Sequence, residues 1–418
     1  MSFLEKESKA ADRGIKGTII FAVIGVAVSV IHIPYEICLA GILIFGIFII
    51  ISVFPFGNTP VSFTFPATRY DERDIMFSRN LLKKGSNRYN AYYSRKPELK
   101  EKDDYFRSLP GLLSSDSVFY DPKTFDEAEA TFKRMERLNP LVEKPASIQK
   151  KQIPPPDELS RFLIDWAKKS GAVSCGITRL ENYHLYSHVG RGDNYGKEVD
   201  LNHNFAIAFT VEMDREALSY APRGETVLES AKQYLNAGTI AVGLAELIRS
   251  FGYEARAHID ANYRVVCPLV AMDAGLGNIG RMGLLMTPEL GPRVRIGVVT
   301  TNILLTPSVK KPDSTTIDFC RLCQKCADNC PSHAIPYGEK EIIDGVERWK
   351  INSESCFTYW CKAGTDCGKC MQVCPYSHAN NPMHNIVRKY IRINPVNRRL
   401  ALLLDNYFYG KKRRCPSI

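Results

Sequence analysis

Thiols are scarce over most of this 418-residue chain. Of thirteen cysteines, only Cys38, Cys175, Cys267 and Cys415 lie outside residues 320–374. That scarcity argues against a disulfide framework, which belongs to short secreted chains. No Arg-Arg pair precedes the first apolar run, so no twin-arginine export signal is expected. No internal repeat is visible between residues 157 and 305. Acidic side chains are the minority charge: 45 Asp and Glu against 55 Lys and Arg leave a net +10. That balance suits an acidic partner or an anionic membrane surface and says nothing about fold. The length exceeds one typical domain, so two or more are expected.

Long apolar runs are present at one end. Residues 17–33 (GTIIFAVIGVAVSVIHI) and 37–56 (ICLAGILIFGIFIIISVFPF) are separated by Pro34-Tyr35-Glu36. A membrane span takes roughly 20 apolar residues and at least about 17. The combined run is too long for one helix and predicts a transmembrane helical hairpin over 17–56, turning at Pro34. A secretory signal has a shorter apolar region, about 7 to 15 residues. Lys6, Lys9, Arg13 and Lys16 precede the first span, Arg69 and Arg73 follow the second, and the turn has no basic residue. The positive-inside rule then puts a tail (1–16) and everything after the hairpin in the cytoplasm. The expected location is the inner, cytoplasmic membrane, multi-pass, with the catalytic domain facing the cytoplasm. His32 and Glu36 fall at the far surface, where they meet solvent or a quinone headgroup.

Residues 57–155 are polar and read as an irregular wrapping or linking arm, closed by Pro154-Pro155-Pro156. Residues 156–306 mix helices and strands. Asp157 is expected to cap a helix over 157–172, with Leu159, Phe162, Leu163 and Trp166 at helical spacing. Strands are expected at 173–180, 203–213, 253–259, 263–272 and 294–302. A long amphipathic helix over 229–252 ends at Gly252.

The remaining nine cysteines carry the strongest signal. Cys320, Cys323, Cys326 and Cys330-Pro331 spell C-x2-C-x2-C-x3-C-P. Three thiolates at this spacing wrap one iron–sulfur cubane, and the cysteine before proline typically serves a second cluster. Cys367, Cys370 and Cys374-Pro375 repeat the pattern without its first ligand. Cys356 or Cys361, upstream, must supply it. Crossed ligation therefore predicts one [4Fe-4S] cluster on Cys320, Cys323, Cys326 and Cys374. The other falls on Cys330, Cys367, Cys370 and Cys356 or Cys361. Zinc favours paired knuckles and fits this run poorly. Two clusters make a one-electron wire, and a wire alone makes no product.

Gly275-Leu276-Gly277-Asn278-Ile279-Gly280 reads G-x-G-x-x-G after a predicted strand, as a dinucleotide site would. Pro288, Gly291 and Pro292 leave no room for the crossover helix. The next strand ends in Thr301-Asn302, with no acid for a ribose. A nicotinamide or flavin site is therefore set aside. The glycines serve a tight turn or a close backbone approach to something large and flat.

Three stretches together carry a resemblance: MDAGLGNIGRMGLLMTPELGPRVRIGVVTT, FCRLCQKCADNCPSHAI and CFTYWCKAGTDCGKCMQVCPYS. Over about residues 157–384 the chain is similar to the reductive dehalogenases, corrinoid iron–sulfur enzymes related to epoxyqueuosine reductase. The resemblance implies an α+β fold. A nitroreductase-like α/β core over 156–306 would bind cobalamin base-off. A ferredoxin-like domain with two [4Fe-4S] clusters would occupy 307–384 beside it, with the N-terminal transmembrane hairpin added here. A D-x-H-x-x-G motif is absent, as the family's lack of a histidine lower ligand implies. The family's proton-donating tyrosine falls on Tyr234, and its basic partner on Arg293, with Arg295 close behind. Asn262 would belong to the substrate pocket. Gly275, Gly277, Gly280, Arg281, Arg295 and His378 would lie against the cofactor. Cys356 is favoured over Cys361.

Each of these residues also has a structural reading. Tyr234 could pack within its helix, Arg293 could pair with Glu289, and His258, His333 and His378 could be structural. Chemically the tyrosine–arginine pair makes sense. A phenol is a weak acid near pKa about 10, and a guanidinium nearby stabilises the phenolate and offsets developing negative charge.

The implied activity is a membrane-anchored, cobalamin-dependent reductive dehalogenase. It would remove halide from a small organohalide, with electrons passing through two [4Fe-4S] clusters to cobalt. An epoxyqueuosine reductase-like deoxygenation and a non-catalytic electron-transfer protein are the alternatives. The electron donor would be a quinol-linked membrane protein or a ferredoxin. No nucleic acid is expected as a partner. In residues 385–418, Arg388, Lys389, Arg392, Arg398, Arg399 and the KKRR run at 411–414 interleave with Leu400, Leu402, Leu403, Tyr407 and Phe408. Such a basic amphipathic segment can lie on anionic lipid; a solvated tail is the alternative.

Overall fold

The computed structural model describes residues 8–30, 35–59, 64–309 and 313–412, with backbone alone at 8, 9 and 24–30. Lys6, His32, Pro34, Arg413, Arg414 and Cys415 lie outside these residues. Helix α1 (Ser8–Val30) starts well before the apolar run and contains a Lys16–Asp12 ion pair of 2.7 Å. Helix α2 (Tyr35–Val53) takes in Tyr35 and Glu36, which were expected in a turn. Among the described residues, α2 is the one helix long and apolar enough to cross a membrane. The connection that would make the pair a hairpin falls outside the described residues.

The polar arm is helical rather than irregular: α3 (Met76–Asn80), α4 (Asn87–Arg95), α5 (Lys100–Ser108) and α6 (Pro122–Glu136). Ser86 and Asp121 accept from the Tyr89 and Thr124 amides as N-caps, and Pro122 occupies the first turn of α6. Helices α3 and α5 bury charge, whereas α4 buries Tyr89, Tyr92 and Tyr93, and α6 buries Phe125, Ala128 and Met135 at helical spacing. Arg79 is buried against Asp103 at 3.2 Å and Glu354 at 3.0 Å. The Tyr93 hydroxyl donates to Asp103 at 2.7 Å.

The core follows: α7 (Pro156–Lys169), β1 (Ser174–Arg179), β2 (Phe205–Glu212), α8 (Arg215–Ser219), α9 (Gly224–Ser250), β3 (Ala255–His258), α10 (Cys267–Asp273), β4 (Asn278–Ile279), β5 (Leu285–Met286) and β6 (Val294–Thr301). Four strands form an antiparallel sheet in the order β1-β2-β6-β3. Leu163, Ile207, Phe209, Leu244, Ile248 and Val299 pack one face of it against α7 and α9. Ala206, Ala208, Val270, Leu276 and Val298 pack the other against α10. Helix α6 lies along α9 through Phe125, Ala128, Val227 and Ala231.

Two expectations are corrected here. Pro155, not Asp157, occupies the cap of α7, and the Asp157 carboxylate instead accepts from the Thr306 hydroxyl. Residues 263–272 are not a strand: α10 begins at Cys267, with Pro268 in its first turn. Proline lacks an N–H that a first helical turn does not use, and its fixed φ suits that position. A short apolar run buried in a core carries no period to separate helix from strand. The G-x-G-x-x-G run thus follows a helix, which removes the strand–turn–helix context a dinucleotide needs.

The remaining elements are α11 (Thr315–Cys323), α12 (Lys325–Asp328), the hairpin β7 (Glu341–Ile343) and β8 (Val346–Arg348), α13 (Ser353–Ala363), α14 (Lys369–Gln372), α15 (Pro382–Tyr390) and α16 (Pro395–Tyr409). Gln324, Cys367 and Gly368 take positive φ and turn the chain between the short cysteine-bearing helices.

Candidate active site between the sheet and the cysteine loops

Eight cysteines gather into two groups of four. Burial, then the neighbouring thiolates of Cys320, Cys323 and Cys326, push the Cys374 thiol well up. Burial, then Cys356 and Cys330, do the same to Cys370, and Cys367 feels Cys370 and Cys356. Cys356 in turn feels Cys330. Cys326 and Cys370 interact across the gap between the groups. Buried thiols crowded this way resist ionising alone, so bound metal is what would hold them as thiolates. Among the described residues no three His, Cys, Asp or Glu side chains converge on a single-ion site. Cys361 joins neither group. It packs with Phe106, Phe357 and Trp360, and burial raises its thiol to about 11.

A cavity of about 770 Å³ opens between the sheet, the arm and the cysteine loops. Its wall is mostly apolar, including Leu112, Phe132, Val265, Pro268, Leu284 and Trp360. That volume is near the upper end for organic-ligand sites, and its apolar walls suit a large flat macrocycle. Its polar lining is concentrated in a few residues: Tyr234, Arg295, Asp366, Asp260, Arg191 and His258. Arg191 Nη2, Arg295 Nε and Asp366 Oδ1 are buried without a hydrogen-bond partner, leaving donors and an acceptor for a bound polar group.

Tyr234, on α9, faces this cavity. The Arg295 guanidinium carbon lies 4.8 Å from the centre of its ring. Arg295 is the largest influence on the phenol and pulls its pKa down. Burial, with Asp260 and Asp366, outweighs that pull and leaves it up at about 12. The phenol is therefore protonated and able to donate at any ordinary pH. Arg295 is itself held: its Nη2 donates to Ser230 Oγ at 2.6 Å and pairs with Asp366 Oδ2 at 3.0 Å. The Ser230 hydroxyl donates to the same carboxylate oxygen. Burial pushes the pKa of Asp366 up and Arg295 opposes it. Asp366 immediately precedes Cys367, so one loop serves both a cysteine group and the cavity.

The other candidates are placed elsewhere. Arg293 is fully buried, pairs with Glu212 at 2.6 Å and donates to the Met213 carbonyl at 2.5 Å. It is absent from the cavity lining, so the guanidinium beside Tyr234 is that of Arg295. Asn262 accepts from Arg256 at 2.7 Å and donates to Asn139 at 2.9 Å, while its neighbours Asp260 and Tyr263 line the cavity. Gly275, at φ +82°, turns the chain after α10. A Cβ on Gly277 would meet the Met286 carbonyl oxygen at 2.1 Å, and one on Gly280 would meet the Met286 side chain at 2.6 Å. Gly277 and Gly280 serve a close approach to β5, and none of the three glycines lines the large cavity. Arg281 is fully buried and staples this turn to the cysteine domain, donating to the carbonyls of Cys320, Pro336 and Gly338. His378 pairs with Asp405 at 2.6 Å and lies against Tyr409, its ring centre 3.9 Å away, facing the C-terminal helix.

Asp366, Asp260, Arg191 and Trp360 were not singled out from the sequence. Asp366 carried one legible signal, an acid directly before an expected ligand in Gly364-Thr365-Asp366-Cys367. The others come from segments that only tertiary packing brings together.

Residues 319–378 match the family model of the 4Fe-4S dicluster domain. The chain is 31% identical over 236 residues to the tetrachloroethene reductive dehalogenase of Desulfitobacterium hafniense, covering 54% of this chain and 42% of that protein. It is 29% identical over 299 residues to that of Sulfurospirillum multivorans, covering 63% and 59%. The chain is related to the reductive dehalogenases. It spans about half the length of the curated relatives it matches. A solved catabolic reductive dehalogenase shares the fold at TM-score 0.69 and 23% identity, over 85% of this chain and 49% of that one.

Proposed function

We propose that this chain is a cobalamin-dependent reductive dehalogenase, anchored to the inner membrane and facing the cytoplasm. The observation that carries the reading is Tyr234 with Arg295, set in an apolar cavity whose wall includes the residue before Cys367. Solved dehalogenases of this fold include one described as B12-dependent and one in complex with 3-bromo-4-hydroxybenzoic acid.

Replacing a halogen by hydrogen consumes two electrons and one proton and releases halide. The two crossed cysteine groups would hold two [4Fe-4S] clusters as a one-electron path from Cys320, Cys323, Cys326 and Cys374 to Cys330, Cys356, Cys367 and Cys370. Trp360, Pro268 and Leu284 would pack on a corrinoid, and Arg191 would bind its polar substituents. When bound, the corrinoid supplies the low-valent metal chemistry that cleaves a carbon–halogen bond. Tyr234 delivers the proton from its hydroxyl to the carbon that loses halide. Arg295 stabilises the phenolate left behind. Asp366 and Ser230 hold Arg295 over the ring, and the apolar wall keeps water from competing as acid. The small organohalide would enter on the Tyr234 side. Electrons would come from a quinol-linked membrane protein or a ferredoxin. Anchoring would rest on α2 with α1, with Arg13, Lys16, Arg69 and Arg73 kept on the cytoplasmic side.

The test is anaerobic purification of the full chain, reconstitution with iron, sulfide and cobalamin, electron paramagnetic resonance, and halide release from chloroethenes and bromophenols. Bound base-off corrinoid with halide release is expected. Two clusters without corrinoid would leave an electron-transfer protein. Bound corrinoid that never releases halide would point to deoxygenation.

A further inference from the structure

Helices α15 and α16 are inside out. On α15, Met383, Ile386 and Val387 are 56%, 60% and 43% exposed, while His384 and Arg388 are buried. On α16, Leu403, Leu404 and Tyr407 are 66%, 49% and 48% exposed, while Asn397, Arg398 and Asp405 are buried. A helix on a water-facing surface shows the reverse pattern. The inward charges are paired, so the inversion is part of the packing. Arg398 pairs with Asp318 at 3.3 Å and donates to the Ile391 carbonyl at 3.1 Å. Arg388 donates to the carbonyls of Tyr376 and His378. Asp405 holds both His378 and Lys325.

From these observations we infer that α15 and α16 form a platform lying on an anionic lipid surface, the same bilayer that α2 is proposed to enter. The inference rests on that membrane reading and adds a second contact area to it.

Continuity is the first support. The last turn of a helix leaves carbonyls without partners. Those of α2 are received by α16: Asn394 Nδ2 donates to Ile51 at 2.8 Å and Phe54 at 3.0 Å, and Asn397 Nδ2 to Ser52 at 2.9 Å. Arg13 of α1 donates to the Tyr407 carbonyl at 2.6 Å. The exposed apolar surface of α2, ending in Val53 and Phe54, therefore runs directly onto the platform. Charge is the second support. Residues 382–412 contain one carboxylate, that of Asp405, and it is buried. Lys389, Arg399 and Lys412 stand exposed among the apolar residues. Arg392 and Lys411 keep Asp313 and Asp328 at 3.8 and 3.3 Å. Apolar side chains flanked by unopposed cations are what an interfacial helix presents to acidic headgroups. Asp318 and Lys325, the inward partners of Arg398 and Asp405, lie on the helices that carry Cys320, Cys323 and Cys326. The platform is thus joined directly to the first cysteine group, where electrons would arrive from a membrane-borne donor.

The test uses the full-length, iron-loaded protein in nanodiscs of phosphatidylglycerol doped with a photoactivatable acyl-chain lipid, with cross-linked peptides mapped by mass spectrometry. Label is expected on residues 37–54 and also on 383–409. The second set should fall severalfold in phosphatidylcholine discs and in L403D/L404D, whose iron content should stay that of the wild type. Label confined to 37–54 would overturn the platform while leaving the anchor standing. Label on neither segment would overturn the membrane reading itself. Equal label in both lipids would refute the anionic preference, and chain-to-chain cross-links at 403–407 would make this face a contact between copies.

Discussion

Arg295 lies over the ring of Tyr234, its guanidinium carbon 4.8 Å from the ring centre, in the wall of the large cavity. A cation over a phenol favours the phenolate. The neighbouring acids and the burial restore enough of the proton's hold to keep a neutral donor.

Removing the donor should therefore cost chemistry and little else. Tyr234→Phe is expected to lower the rate of halide release by about 100- to 10,000-fold, the range for loss of a positioned general acid. Iron content and corrinoid binding should stay unchanged. Arg295→Gln should move the rate in the same direction. Single-turnover halide release with pre-reduced protein would measure both. Wild-type rates in Y234F would remove Tyr234 from the mechanism.

The pH profile has a definite sign. A donor works while protonated, and this phenol stays protonated until pH approaches about 12. The kcat/KM profile should therefore show no alkaline limb from Tyr234 below about pH 10. In Arg295→Gln the phenol rises further, so no such limb should appear there either. An alkaline limb well under that pH which vanished in Y234F would contradict the assignment.

Asp366 is expected to act through Arg295. Asp366→Asn leaves a buried guanidinium without its charged partner, a change costing about 3–5 kcal/mol when a buried pair is broken. Halide release should fall while both clusters remain, and Asp366→Glu should recover part of the rate. Denaturant unfolding together with iron analysis would separate these effects. Loss of iron in D366N would instead make Asp366 a support for Cys367.

Cys356 and Cys361 should differ completely. Cys356→Ser should lose about four of roughly eight irons, while Cys361→Ser keeps them all and loses only packing against Phe106 and Phe357. Iron and sulfide analysis decides between them, and the opposite result would reverse the ligand assignment.

Gly277→Ala tests what the glycine turn is for. Its new methyl would stand 2.1 Å from the Met286 carbonyl oxygen. Overpacking of this kind costs about 1–3 kcal/mol. The loss should appear in urea unfolding even of protein that has never met corrinoid. Unchanged stability with impaired corrinoid binding would return the turn to the cofactor.

The cysteine pattern was the most legible feature because ligation is local. Spacing alone limits which sulfurs can face one centre, and the structure adds that Cys356 neighbours Cys330, Cys367 and Cys370 while Cys361 packs against Phe106 and Phe357. The choice between Arg293 and Arg295 was not legible. They sit two residues apart, and what separates them is Glu212, drawn alongside by the antiparallel pairing of β2 with β6. A cross-strand neighbour more than eighty positions away leaves no mark near Arg293. Asn262 was captured in the same way, by Arg256 and Asn139. Strands β1, β2, β3 and β6 and helix α9 followed their patterns, since each has a length and period that suit one structure. Helix α10 did not, because its run is short and buried. Helices α3 and α5 were hidden by their own polarity, since Asp103 and Arg79 satisfy each other, whereas α6 carries Phe125, Ala128 and Met135 at a helical spacing that the reading of an irregular arm passed over.

The segment from Trp360, in the last turn of α13, to Cys367 bears on inheritance. It contributes a cysteine to one group and both an aromatic wall and an acid to the large cavity. The cysteine domain is therefore not an interchangeable cartridge. A ferredoxin unit borrowed from another protein could restore every sulfur and still leave Arg295 without its carboxylate partner. Recombination between this chain and its relatives would have to carry this segment together with β6, and domain swaps would need to treat the two as a single piece.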